Sequence, residues 1–416
     1  MKLSGMLRLK FACYTSNLSM SIASNLTPLL FISFRSLYGV SYARLGLLVL
    51  INFLTQLFVD LAFSFFARKF NIPLTVRLMP VLAAAGLVLF ALAPSLFADC
   101  VYLGLALGTV VFSLSCGLGE VLISPIIAAL PSKNPDREMS RLHSVYAWGT
   151  VGVVMLTTFF LLVFKAQNWQ WLPILFALVP ILSAILYAGA EIPSIQTPAR
   201  EGGTTGLFNR QVFLCVLAIF LGGATECTMA QWASGYIERG LGINKLWGDI
   251  GGVAVFAAML GIGRTLYAKI GKNAARVLWL GAISASACYL LAVFSPFAWL
   301  GLVACALTGF CVSMLWPGSL IVMAERIPRA DVVIYALMAA GGDLGASFGS
   351  QVVGVVTDAS MTSANLAALA DKSGLSVEQL GMKAGLLVGA VFPILATLLY
   401  TYMRKSKSDE KSSPHA

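Results

Sequence analysis

Charge is what this 416-residue chain has least of. Charged residues make up 11% of it, against about 25% in soluble proteins. Histidine occurs twice, at His143 and His415. So little charge cannot clothe a water-exposed surface, which excludes an ordinary soluble globular protein. No HExxH, GxSxG or phosphate-loop stretch occurs, and no cluster of Cys with His. The common hydrolase and nucleotide-binding signatures are therefore missing. We expect no enzyme activity, no cofactor and no metal. The eight cysteines (Cys13, Cys100, Cys116, Cys215, Cys227, Cys288, Cys305 and Cys311) lie in or beside apolar runs without ligand spacing. They read as small packing residues, not a disulfide framework. The N-terminus lacks a short apolar run with a cleavage site, so its first apolar stretch reads as a span.

What is abundant is apolar sequence: 58% of residues are hydrophobic and the mean hydropathy is +0.85. A bilayer crossing takes about 20 such residues. Twelve segments fit: 11–37, 42–67, 74–94, 99–130, 142–165, 172–190, 211–237, 247–268, 276–295, 298–325, 332–358 and 383–403. An all-α integral membrane protein in a lipid bilayer follows, and twelve spans suffice for a monomer. In a soluble protein the net charge of +10 would suggest nucleic acid. Here the cations sit in short loops and report topology, and no nucleic-acid partner is expected. Of the 28 Lys and Arg, 21 fall on the side of the two termini and seven on the other. By the positive-inside rule both termini of a multi-pass cell-membrane protein are cytoplasmic.

Residues 191–210 are rich in Pro, Gly and Thr and read as a cytoplasmic linker. They divide a six-helix bundle (1–190) from a second one (211–403), and the polar tail 404–416 is expected to be disordered. The loop 359–382 is long enough for one or two short surface helices, with Leu366, Leu369 and Leu380 as apolar contacts. A weak repeat relates the halves. LISPIIAALP (Leu122–Pro131) matches SLIVMAERIP (Ser319–Pro328), and Gly149-Thr-Val-Gly152 matches Gly342-Asp-Leu-Gly345. The pattern fits two pseudo-symmetric bundles.

Three acids fall deep in spans: Glu120, Glu226 and Asp343. At 1.5 Å per residue each lies about 16–18 Å from the end of its span, near the middle of a core about 30 Å thick. An ionisable group there costs about 2.5–3.5 kcal/mol on insertion scales and is a functional candidate by default. The sequence places no Lys or Arg at that depth, so all three read as unneutralised. Each lies on a stripe of polar or small residues at helical spacing. In span four the stripe is Thr109, Ser113, Cys116, Gly117, Glu120 and Ser124; in span eleven it is Asp343, Ser347, Ser350, Gln351 and Gly354. Such acids could carry protons, hold a cationic solute, or be helix-packing hydrogen bonds. Asn25, Gln231, Trp232 and Trp316 suit a polar solute such as a sugar, and the two tryptophans equally suit packing. Trp316-Pro317-Gly318 predicts a kink. Asp60, with Arg68 and Lys69 near the inner end of span two, and Arg264 in the matching loop, could form a cytoplasmic gate. The glycines of span eleven read as close helix packing.

At these residues the chain resembles the major facilitator superfamily, and more narrowly the fucose permease-like sugar–proton symporters. The carrying segments are Gly117-Leu-Gly-Glu120 through Ser140-Arg-Leu-His143, Gly222-Gly-Ala-Thr-Glu226 with Trp232, and Met338-Ala-Ala-Gly-Gly342 through Asp358. The resemblance implies a cavity lined by spans 1, 4, 7 and 10, and alternating access. It also implies a proton or substrate role for Glu120 and a sugar contact at Asn25. Where fucose permeases carry an acid shortly after that Asn, this chain has Leu-Thr-Pro28. The leading expectation is a secondary transporter moving a small-molecule substrate, a sugar or similar polar solute, together with protons. A proton-coupled exporter of cationic or amphipathic compounds is the alternative within the fold. A receptor without transport is the alternative outside it.

Overall fold

In the computed structural model the described residues are 3–66, 69–131, 135–193, 209–270, 273–327 and 332–412. They are almost entirely helical and divide into two compact units. One comprises Met1–Val40 and Ile51–Ala199, the other Ser41–Leu50 and Arg200–Ala416. The first turns of one helix, residues 41–50, therefore pack with the second unit. The linker expected at 191–210 lies mostly outside the described residues.

The first unit holds α1 (Leu3–Leu29), α2 (Phe31–Tyr38), most of α3 (Tyr42–Phe66), α4 (Ile72–Ala91), α5 (Ala93–Leu96), α6 (Val101–Ala129), α7 (Pro135–Phe164) and α8 (Trp171–Ala188). Helix α1 packs on α6, α7 and α8, and α4 packs on α6 and α8. Helix α4 shows why sequence amphipathicity is weak here. Leu74, Leu78, Val81 and Val88 are exposed on one face, and Met79, Ala83, Leu87 and Phe90 are buried on the other. Both faces are apolar because one faces protein and the other a place for lipid. Phe34, Phe90, Phe112 and Trp169 form an edge-to-face cluster, Phe34 and Trp169 having centroids 4.9 Å apart. Arg8 donates through Nε to the Leu186 carbonyl (2.9 Å) and through Nη2 to that of Ile185 (2.7 Å). It thereby satisfies carbonyls at the end of α8 that have no helical partner.

The second unit holds α9 (Arg210–Gly235), α10 (Lys245–Trp247), α11 (Val255–Ile270), α12 (Ala274–Phe294), α13 (Ala298–Val312), α14 (Leu315–Arg326), α15 (Val332–Met361), α16 (Ala364–Ser373), α17 (Val377–Gly389) and α18 (Val391–Ser412). Wide π-helical turns at Tyr236–Gly240 and Gly248–Ala254 follow α9 and precede α11. The most intimate pairing is α9 against α15. A side chain at Gly345 would collide with the Phe220 backbone, and one at Gly349 with Ala224 and Thr228. The glycines of α15 are thus close-packing residues, as their spacing suggested.

Among the described residues nine helices are long and apolar enough to cross a membrane, ten if the bent pair Leu337–Met361 and Ala364–Ser373 counts as one. The expected spans 11–37, 142–165 and 332–358 are the ones that do not qualify alone. The first and third carry buried polar residues on their inner faces, Ser16, Asn17, Ser19 and Ser21 in α1 and Asp343, Ser347 and Ser350 in α15. In α7 the described apolar stretch is Trp148–Phe164.

At the C-terminal end α18 continues to Ser412, into the stretch expected to be a polar tail. Extending an existing helix requires no new nucleus. The loop 359–382 does form helices, α16 and the start of α17, the latter with a capping box between Ser376 and Gln379. Its buried residues include Ala370 and Met382, whereas Leu369 is exposed.

Replacing Gly345 by Val should lower stability by about 1–3 kcal/mol or more, because backbone stands in the way. Replacing Gly152 by Ala should leave stability equal or slightly raised, since nothing lies within 4 Å of a Cβ there. Thermal melts of the two purified variants test this.

Candidate functional site

In the first unit the site begins with a stripe on α3 at four-residue steps: Asn52, Gln56 and Asp60. Asn52 and Gln56 are buried. Gln56 Nε2 donates to Asn52 Oδ1 (3.0 Å). Ser113 Oγ, on α6, lies 2.6 Å from that oxygen and 2.6 Å from the Thr109 carbonyl, and gives its one hydrogen to either. One turn on, a Cβ at Gly117 would stand 2.8 Å from Val59 Cβ and 3.1 Å from the Gln56 backbone. Glycine is what lets α6 come this close to α3. The next turn of each helix then brings the Asp60 and Glu120 carboxylate oxygens within 4.8 Å of each other. At an effective dielectric of about 20 two such charges repel by about 3–4 kcal/mol.

Asp60 was expected at a gate with Arg68 and Arg264. Arg68 lies outside the described residues, and the structure places Asp60 beside Glu120. The short step from Asn52 through Gln56 to Asp60 puts all three on one face, and that face meets α6.

Asn25 is engaged within the first unit. Its Nδ2 donates to the Ser21 carbonyl (2.8 Å) and lies 3.3 Å from Thr150 Oγ1 of α7. Asn17 donates to the Leu142 carbonyl (2.6 Å), and Ser16 meets Ser183 of α8 at 2.6 Å. The polar stripe of α1 therefore knits α1 to α7 and α8.

In the second unit Glu226 on α9 is not unneutralised. Arg264 Nη2, from α11, donates to Oε1 at 3.0 Å and Oε2 at 3.3 Å. Arg264 is thus a helix residue paired with Glu226, where the sequence reading counted it as a loop residue. The cause lies in Trp316-Pro317-Gly318. Proline at 317 has no N–H for the carbonyl four residues earlier, that of Ser313. The chain breaks there, between the end of α13 at Val312 and the start of α14 at Leu315. Arg264 Nε takes the freed Ser313 carbonyl at 3.1 Å. Gly263 permits the approach, since a Cβ on it would collide with the Ser313 side chain. One arginine therefore ties together α9, α11 and the α13–α14 break.

Asp343 is buried on α15. It and Glu226 both act electrostatically on Cys227, which brings the two acids to one neighbourhood. The Trp316 ring lies over Gly342 and within 3.0 Å of a Cβ built on Gly223, so it fills a gap between α9 and α15. Trp232 is 1% exposed. Its Nε1 donates to the Ser350 carbonyl (2.9 Å) and its ring sits 5.9 Å from Tyr42. Of the two expectations for Trp232, solute contact or packing, this arrangement shows a packed ring whose N–H is taken by a backbone carbonyl. Gln231 is also buried, and its Oε1 has no hydrogen-bond partner among the described residues. All eight cysteines are free.

Sequence reasoning missed Asn52 and Gln56, although their spacing to Asp60 was visible. It also missed the Ser313 carbonyl, which Pro317 announces.

A family model described as Major Facilitator Superfamily matches residues 12–350. Among solved structures, a bacterial homologue of the human lysosomal transporter Spinster, in an inward-facing and occupied conformation, is 14% identical with a TM-score of 0.69. That alignment covers 99% of this chain and 98% of the other. The fucose–proton symporter of E. coli aligns at 15% identity and a TM-score of 0.60, over 94% and 98% of the two chains. A D-xylose–proton symporter aligns at 14% identity and 0.68, over 93% and 96%. No curated protein matches the chain. At these identities the structures speak for the fold, and the family model, spanning most of the sequence, supplies the assignment: the chain belongs to the major facilitator superfamily of multi-pass membrane transporters.

Proposed function

We propose that the protein is a proton-coupled secondary transporter of a small polar solute, and that Asp60 and Glu120 form its proton site. The observation that carries this reading is the approach of those two carboxylates to within 4.8 Å inside the first unit. A proton shared between them relieves the repulsion, and losing it restores the repulsion, which is the property a coupling site needs. The absence of a phosphate-loop motif favours an ion gradient or exchange as the driving force over ATP. Two of the similar structures are named as proton symporters, which supports coupling of the same kind here. A sugar as the solute has less support, since Asn25 and Trp232 are engaged in helix packing.

The same reading takes the protein to cross the cell membrane twelve times as a monomer, with both termini cytoplasmic. Removing Arg264 from the loop count leaves 20 cations on the side of the termini against seven, so the bias survives that correction.

Purified protein in liposomes with a trapped pH dye should acidify the lumen when the transported solute is added outside. Sugars, carboxylates, amino acids and organic cations make the panel. Glu120→Gln should abolish accumulation against a gradient while sparing exchange of labelled for unlabelled solute. Full pH-dependent accumulation by that variant would remove the site assignment. Efflux of protons on adding an external cation would instead favour an exporter. A reporter active only in the cytoplasm should work when fused to the C-terminus, and silence there would reverse the topology.

A further inference from the structure

The Glu226–Arg264 contact is not built like a structural ion pair. A fork-to-fork arginine–carboxylate pair uses two nitrogens against two oxygens. Here Nη2 alone spans both oxygens of Glu226, at 3.0 and 3.3 Å. Nε is held by the Ser313 carbonyl at 3.1 Å. Nη1 makes no hydrogen bond among the described residues. The Arg264 side chain is 43% exposed and that of Glu226 is 14% exposed. The cation is thus more open than the acid that neutralises it, and it keeps a spare donor.

The anchor at Ser313 does not depend on Glu226. It comes from Pro317, which leaves that carbonyl without a helical partner. If the Glu226 carboxylate leaves, Arg264 stays oriented, with Nη1 and Nη2 side by side for another planar acceptor.

We infer that Arg264 is the subsite for the carboxylate group of a small organic anion, and that Glu226 is the internal carboxylate which the solute displaces. This rests on the transport reading above and names its substrate class. A carboxylate matches the paired nitrogens of a guanidinium edge in shape and in hydrogen-bond count. One guanidinium edge holds one carboxylate, which fits a monoanion. No Lys or Arg occurs between Arg210 and Arg239, between Arg276 and Arg326, or between Arg329 and Lys372, so those stretches of the second unit add no further positive charge.

Displacement also defines what must move with the solute. The incoming carboxylate neutralises Arg264, and Glu226 stays in a poorly solvated place as it leaves Nη2. It then takes up one proton, the pair and the solute together keeping the charge that the pair had alone. The ionisable group that meets Glu226 is Arg264 from α11, and Glu226, Arg264 and Asp343 of α15 all act on the neighbouring Cys227. From the α13–α14 break the pair receives the Ser313 carbonyl.

The test uses the full chain in lipid nanodiscs, with melting temperature read against small monocarboxylates and against the amides of the same acids. The acids should stabilise the protein and the amides should not. Glu226→Gln should bind the same acids about tenfold or more tightly, because their internal competitor is gone. Arg264→Ala should not bind them. Should Arg264→Ala fail to fold, the double variant Arg264→Ala with Glu226→Gln removes both charges, and it too should show no binding. Equal stabilisation by amides, weaker binding by Glu226→Gln, or retained binding by the double variant would overturn the subsite. The trapped-dye assay separates this from the transport reading. Proton movement with neutral solutes and none with carboxylates would end the present inference and leave coupled transport standing. Carboxylate binding that depends on Arg264, with no proton movement for any solute, would support the subsite and end the coupling.

Discussion

Hydrocarbon offers no hydrogen bonds, and most of this structure follows from that. Hydroxyls inside the helices turn back onto their own backbone. Thr109, Thr225, Thr308 and Thr357 each donate to the carbonyl four residues earlier, at 2.7–2.8 Å. Where the backbone itself loses a partner, a long cation replaces it. Arg8 takes the last carbonyls of α8, and Arg264 takes the carbonyl that Pro317 leaves open. These two arginines act as backbone partners as much as charges. A lysine at either place could not hold two acceptors in one plane.

The second consequence concerns packing. Apolar faces gain nothing by leaving lipid for protein, so helices associate through close fit and polar contacts. The glycines mark the closest approaches. Gly345 and Gly349 bring α15 onto α9, and Gly117 brings α6 onto α3. In both units a close approach stands beside an acid. Gly117 precedes Glu120 by one turn, and Gly342 directly precedes Asp343. Tight backbones fix where the neighbouring carboxylates point, and a carboxylate that must meet a particular partner needs that rigidity.

Much of this was legible in the residues, and the rest was hidden for identifiable reasons. The all-helical membrane character comes from hydropathy, and most of the expected spans coincide with long apolar helices among the described residues. Two of the expected spans, in α1 and α15, carry polar residues that face inward. The depth of Glu120, Glu226 and Asp343 followed from counting along helices. Partners across helices did not, since counting gives depth and says nothing about which faces meet. Asp60 therefore looked like a gate residue beside Arg68, and Arg264 looked like a topological cation. Trp232 was ambiguous for a related reason: an indole satisfies a backbone carbonyl or a solute with the same N–H, and only the Ser350 contact decides between them.

The two units carry their acids differently, although their sequences show a trace of repetition. The first sets one carboxylate against another, Asp60 against Glu120. The second sets a carboxylate against a guanidinium, Glu226 against Arg264. The first arrangement favours binding of a positive species, because a proton or cation lowers its energy. The second can bind a negative species only by exchange, because Arg264 is already neutralised. On the reading developed here this asymmetry is what a proton-coupled carrier of an anion requires. As proposed, one unit would respond to protons directly and the other would admit the solute when its own acid gives way. A uniformly acidic interior would favour cations in both halves. The Pro317 break is therefore more than a kink, since it keeps the arginine in position whichever carboxylate it holds.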